Sequence, residues 1–142
     1  MLIESAYFDP SSVRKTSKSL GLSTDASYRF ERGVDHTKTK WAAQRAAQLI
    51  SELAEGKAAK GEIDAYPNNI NLPKVTLRFN RVEKLLGYKI PNKEVISILK
   101  RLEFEIESES EDKLELLVPA SRPDVLREVD VIEEIVRING YN

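Results

Sequence analysis

At 142 residues, with 41% hydrophobic and 32% charged side chains, the chain has apolar mass for one ordinary core or two small ones. A formal net charge of −1 provides no global basic field, so charge does not imply tight, sequence-blind binding to nucleic acid, and any RNA contact has to be local. The lack of cysteine removes disulfide frameworks and thiolate metal sites and suits a reducing cytoplasm, no apolar run approaches membrane-spanning length, and the acid in the opening MLIESAYFDP argues against a secretion signal.

Ile3, Ala6 and Phe8 predict a strand over Leu2–Phe8 that stops at Asp9-Pro10. Asp9 caps a helix whose first residue is Pro10 and which Gly21 ends after Leu20; it carries Arg14, Lys15 and Lys18, the most basic local surface. A solvated face accounts for that charge as it stands. Thr24 or Ser23 caps a short helix through DASYRFER with Gly33 as its stop, where Arg29, Glu31 and Arg32 crowd into an ion-pair knot with no nucleophile and base beside it. His36 is the single histidine and has no companions for a metal. The longest helix runs from Thr37 to about Ala54, with Trp41, Ala42, Ala46, Leu49, Ile50 and Leu53 as its apolar side and Gly56 as its stop. A strand around Gly61–Tyr66 comes next, and the turn-rich PNNINLP marks a boundary between units 1–69 and 70–142.

In the second unit Val75, Leu77 and Phe79 alternate as a strand, and Asn80 with Glu83 forms a capping pair for RVEKLLG, stopped by Gly87. Asn92 caps KEVISILKRLE, with Val95, Ile96, Leu99 and Leu102 on one side. Phe104–Ile106 and Leu114–Val118 form a hairpin around the polar SESEDK.

The chemistry concentrates in Ser121–Tyr141. A helix from Glu128 to Asn139 sets Asp130, Glu133 and Glu134 at i, i+3 and i+4 beside a broken apolar stripe of Val129, Ile132, Val136 and Ile138, and Gly140 suits a left-handed stop. Asp124, on the approach after Pro123, is close enough to join them. Converging carboxylates supply the oxygen ligands that a hard cation such as Mg²⁺ takes. A solvated acidic face, or a salt-bridge network with Arg122, Arg127 and Arg137, accounts for the same pattern, and spacing does not separate these readings.

The run SRPDVLREVDVIEEIVRINGY resembles the end of the B5 domain of the bacterial-type phenylalanyl-tRNA synthetase beta chain, and TDASYRFERGVD at Thr24–Asp35 resembles the end of that family's B3/B4 domain, in the family's order. The resemblance implies an α+β chain: the C-terminal part of an α/β B3/B4 (editing) domain over 1–69, then a B5 domain over 70–142 with three helices and a β-hairpin, winged-helix-like in appearance. Family beta chains are several times longer, so the resemblance implies a fragment that is inactive alone. It implies a cytoplasmic (αβ)₂ parent that joins phenylalanine to its tRNA with ATP, with the chemistry on the alpha subunit. Asp124, Asp130, Glu133 and Glu134 match the family's positions for a Mg²⁺ shared with that subunit. Glu4, before a Ser-Ala pair, resembles a glutamate lining the editing pocket, where it would accept a hydrogen bond from a tyrosine hydroxyl that phenylalanine lacks. The family more often has proline where His36 stands and glycine where Glu103 stands.

Two other classes fit the residues. Three helices with a hairpin resemble winged-helix nucleic-acid readers, with KEVISILKRLE as the recognition helix, although the acidic last helix and hairpin tip would repel a phosphate backbone. A module that only docks subunits fits as well. Neither DNA nor a membrane is expected as a partner.

Overall fold

Asp9 starts the first helix as its position predicts: its carboxylate accepts from the Ser12 amide at 2.7 Å, Pro10 stands at the first helical position, and Gly21 (φ 63°, ψ 23°) ends it in the left-handed region. The structure is a computed structural model that describes residues 1–140. Tyr141, the end of the carboxylate-rich stretch, lies outside the described residues. The chain divides into two units, Met1–Ile70 and the remainder from Asn71.

The first unit is helical: α1 (Pro10–Leu20), α2 (Asp25–Phe30), a 3₁₀ turn (His36–Lys38) and α3 (Thr39–Leu53). Thr24 caps α2 by accepting from the Ser27 amide at 3.1 Å. The 3₁₀ turn replaces the α-helical start expected at Thr37, because Asp35 accepts from the Thr37 amide at 3.0 Å and tightens that turn. Helix α2 stops at Phe30, ahead of Gly33, and α3 stops ahead of Gly56, with Glu55 at φ 51°. Neither Leu2–Phe8 nor Gly61–Tyr66 is a strand, which corrects the alternation-based expectation. A strand exists only when its amides and carbonyls pair, and neither segment has a ladder partner among the described residues. No residue of this unit is buried, and Trp41, Leu53 and Ile63 are exposed.

The second unit runs β1 (Lys74–Arg78), α4 (Phe79–Leu86), α5 (Asn92–Arg101), β2 (Glu105–Glu109), β3 (Lys113–Leu117) and α6 (Glu128–Asn139). The strands form an antiparallel sheet in the order β1-β3-β2. Register places Val75 opposite Leu116 and Leu77 opposite Leu114, so one face carries the apolar side chains while the other pairs Lys74 with Glu107 and Thr76 with Glu115. Helices α4, α5 and α6 close the core on the apolar face with Val82, Val95, Ile98, Leu99, Val131, Ile132 and Ile135.

Three local expectations change here. Helix α4 begins at Phe79, whose amide donates to the Asp112 carbonyl, so Asn80 sits inside it and caps nothing. Pro91 precedes α5, and Asn92 is its first helical residue. Gly140 ends α6 at φ 98°, ψ 153°, an extended left-hand conformation open to glycine and not the αL turn expected.

Candidate functional site

Helix α6 has the predicted bounds, but tertiary packing rotates its chemistry. Val131, Ile132, Ile135 and Val136 face the core, while Val129 and Ile138, expected on the apolar stripe, are about half exposed at 46% and 43%. The three carboxylates keep their i, i+3, i+4 side of the helix but differ in burial. Glu133 is exposed, Asp130 is half-buried, and Glu134 is carried into the packed side with 6% of its surface accessible.

Each of the two inner carboxylates has an arginine. Glu134 Oε1 accepts from Arg122 Nη2 at 2.6 Å and from Arg137 Nη1 at 2.9 Å. The Arg122 guanidinium holds the Glu134 carboxyl below its ordinary range, against the opposing effect of burial, and Arg137 adds to it. Asp130 closes the start of α6: Oδ2 accepts from the Leu126 and Arg127 amides at 3.1 and 2.8 Å, and the Arg127 guanidinium reaches Oδ1 at 2.9 Å. This is the reciprocal half of a capping box, the third helical residue satisfying an amide before the helix. The Arg127 contact holds the Asp130 carboxyl below its ordinary range. Asp124, with 66% of its side chain exposed, meets only the edge of Arg122 at 3.4 Å.

Of the four predicted donors, the structure thus brings Asp124 and Glu134 onto one arginine, sets Asp130 on another and leaves Glu133 free in solvent. Among the described residues no group of three carboxylate or histidine side chains converges as a cation would require. The all-oxygen donor set suits Mg²⁺ in kind, and in this chain by itself Asp130 and Glu134 are paired with arginines. The salt-bridge network left open by spacing is what the structure contains. Glu4 is exposed in a segment without regular structure.

A further carboxylate, Glu128, has a position that periodicity did not mark. Its oxygens accept from the Arg78 amide at 2.9 Å and from Arg78 Nε and Nη2 at 3.1 and 2.6 Å, tying the end of β1 to the first turn of α6 across fifty residues. The only local signal was an acid in a helix's first turn. An open cavity of about 180 Å³ between α4 and α5, lined by Phe79, Asn80, Glu83, Lys89 and Asn92, contains none of the candidate residues.

Two domain families account for this arrangement. Residues 1–55 match the B3/4 domain and residues 75–141 match the tRNA synthetase B5 domain, so the chain joins two modules of an aminoacyl-tRNA synthetase. Across its full 142 residues it is 45% identical to the phenylalanine–tRNA ligase beta subunit of Geobacter metallireducens and 46% identical to that of Salinibacter ruber. Over 141 residues, 99% of the chain, it is 50% identical to the Thermotoga maritima subunit of the same name. The chain spans 18% of the Geobacter and Thermotoga proteins and 17% of the Salinibacter one. It belongs to the phenylalanine–tRNA ligase beta-subunit family.

Proposed function

We propose that this chain serves as a structural and subunit-contact region of an (αβ)₂ enzyme that uses ATP to join phenylalanine to its tRNA in the cytoplasm. The observation that carries the reading is identity of 45 to 50% running through both domain matches to beta subunits. Residues 1–69 are read as the C-terminal part of the B3/4 (editing) domain and 70–142 as B5. The absence of any buried residue before Asn71 supports a part whose packing partners lie in other segments. The sheet and arginine-braced α6 support a rigid B5 platform.

Within that reading Asp124, Asp130, Glu133 and Glu134 are proposed oxygen donors to a Mg²⁺ shared with the alpha subunit; their chemistry supports this, whereas the arginine pairing in the chain by itself opposes it. Glu4 is proposed as an acceptor for a tyrosine hydroxyl in the editing pocket, supported by its place within the B3/4 match and its free, exposed carboxylate.

The test is a hybrid in which these 142 residues replace the matching segment of the Geobacter metallireducens beta subunit. The hybrid is expected to co-purify with the alpha subunit and to charge tRNA with phenylalanine, while the 142-residue chain alone shows no ATP–pyrophosphate exchange. A folded hybrid that fails to assemble would overturn the proposal.

A further inference from the structure

Arg122 meets two of the four carboxylates at once. Its Nη2 lies 2.6 Å from Glu134 Oε1 and its Nε lies 3.4 Å from Asp124 Oδ1, so one guanidinium bridges the loop before α6 and the packed side of the helix. A turn fixes its backbone: the Arg122 amide donates to the Pro119 carbonyl at 2.9 Å, and the Arg122 carbonyl accepts from the amide of Val125, which is buried. Rotation of the side chain is therefore enough to break the bridge. Arg137 reaches the same Glu134 oxygen at 2.9 Å, but its side chain is 56% exposed against 23% for Arg122, and it meets no second carboxylate among the described residues.

A planar fork of fixed donors suits two carboxylates better than a point charge does. Glu134 is buried, so water screens its attraction to Arg122 little, and leaving it without a partner is costly. A second cation drawing on the same oxygens is repelled by the first, the more strongly in a packed setting. Arg122 and a divalent cation are alternatives at Glu134 and Asp124.

We propose that Arg122 is a positioning residue that sets the affinity of this carboxylate group for Mg²⁺: it is the internal counter-ion of Glu134 and Asp124, and its guanidinium has to leave both before they act as oxygen donors. The proposal rests on the shared-Mg²⁺ reading. In the chain by itself the exchange is unfavourable, because buried Glu134 trades a hydrogen-bonded partner for a cation that gives up its water reluctantly. A partner subunit that offers the freed guanidinium a new acceptor reverses this balance, which ties metal binding to assembly.

The experiment titrates the full 142-residue chain with MgCl₂ at constant ionic strength and follows the amide resonances of Asp124, Asp130 and Glu134 in nitrogen-15-labelled protein. The parent is expected to bind with a Kd of about 20 mM or weaker. Arg122→Gln should tighten binding at least about tenfold, and R122Q/E134Q should return it to within about twofold of the parent. Arg122→Lys keeps the charge but not the fork, and should tighten binding about threefold. Arg137→Gln removes the same charge from the same carboxylate without freeing Asp124, and should gain no more than about threefold. Circular dichroism checks the fold of each variant; if Arg122→Gln does not fold, Arg122→Lys decides alone, a gain supporting the proposal and no gain overturning it. An Arg122→Gln titration equal to the parent's, both silent up to about 50 mM included, overturns it. So does weaker binding, which would make Arg122 an organiser of the donors, or an equal gain in Arg137→Gln, which would make the effect one of net charge. The hybrid beta subunit, assembled with the alpha subunit, separates failure of the proposal from failure of the metal reading. If Glu134→Gln removes a Mg²⁺-dependent rise in its thermal midpoint while Arg122→Gln leaves that dependence unchanged, the proposal fails and the metal reading stands; if Glu134→Gln changes nothing there, both fail.

Discussion

Glu134 shows what a charge does when packing carries it inward. Its side chain is 8% exposed and its carboxylate is satisfied by two guanidiniums, so removing the acceptor leaves Arg122, itself only 23% exposed along its side chain, without its main partner. Glu134→Ala is expected to cost about 3 kcal/mol, in the range for breaking a buried pair, and Glu134→Gln about 1–2 kcal/mol because the amide oxygen still accepts while the charge is lost. Urea denaturation of the two variants checks both the order and the size. The like-charge repulsion expected from i, i+3, i+4 spacing would instead make the Gln variant neutral or stabilising, which the arginines remove as a basis. The pH dependence has its origin in the same contacts. Glu134, Asp130 and Glu128 all have carboxyls held below their ordinary values of 4.5, 3.8 and 4.5, by Arg122, Arg127 and Arg78 respectively. Each binds a proton less readily folded than unfolded, so the stabilisation is complete above the ordinary values and is lost as pH falls through the lowered ones. Thermal midpoints should be flat from pH 7 to about 5.5 and fall steadily below about 4.5, less steeply in Glu134→Gln.

At the scale of the element, the helix ends carry the sharpest local chemistry. The turn from α5 into β2 holds Glu103 at φ 65°, the left-handed region in which a Cβ is strained, and the Phe104 amide reaches back to the Leu99 carbonyl at 3.0 Å to seal the helix end. Glu103 is exposed, so little packing offsets that strain. Glu103→Gly is expected to raise stability by about 0.5–1 kcal/mol, the strain relief exceeding the extra chain entropy of glycine. Glu103→Val should lower it, because a β-branched side chain fits the conformation worse. At the start of α6, Asp130→Ala removes the acceptor for two amides and should cost about 1 kcal/mol, with Asp130→Asn nearer neutral. Chemical denaturation of the four variants reads these differences on one scale.

Over the whole molecule the two units differ in how they are held. Among the described residues all sixteen buried apolar side chains lie from Val75 to Val136, and the unit before Asn71 has none. Amides of β3 and α6 are therefore expected to exchange hydrogen only through global opening of their unit, whereas those of α1, α2 and α3 exchange at least about 100-fold faster through local opening. Leu116→Ala, at a position with no accessible surface, should cost about 3 kcal/mol and lower protection in β3 and α6. Hydrogen exchange read by mass spectrometry separates the two units directly. Equal protection of α3 and α6 would show that helix propensity and caps hold the first unit more firmly than its burial accounts for.

Much of this protein was legible in the chain because the information lay within a few residues. Asp9-Pro10 and Gly21 bracket α1, the bounds of α6 come from its periodicity, and two motifs in their order identified the family, while the hairpin tip narrows from SESEDK to Ser110–Asp112 because Ser108, Glu109 and Lys113 pair in the strands. Caps, prolines and turn residues act on their own neighbours, so sequence alone determines them. What only the tertiary structure decided depends on elements far apart. Alternation made Leu2–Phe8 and Gly61–Tyr66 read as strands, but a strand needs a paired neighbour and none is present among the described residues. The Arg78–Glu128 clamp joins residues fifty positions apart, a distance over which no periodicity speaks. Half of the α6 stripe was misread: Val129 and Ile138 are about half exposed, whereas Val131 and Ile135 join Ile132 and Val136 in the core, because α6 packs on α5 and β1 and buries whatever shares that side. Glu134 goes inward with them, and Arg122 and Arg137 make that burial tolerable by supplying the charge and hydrogen bonds that water would have given.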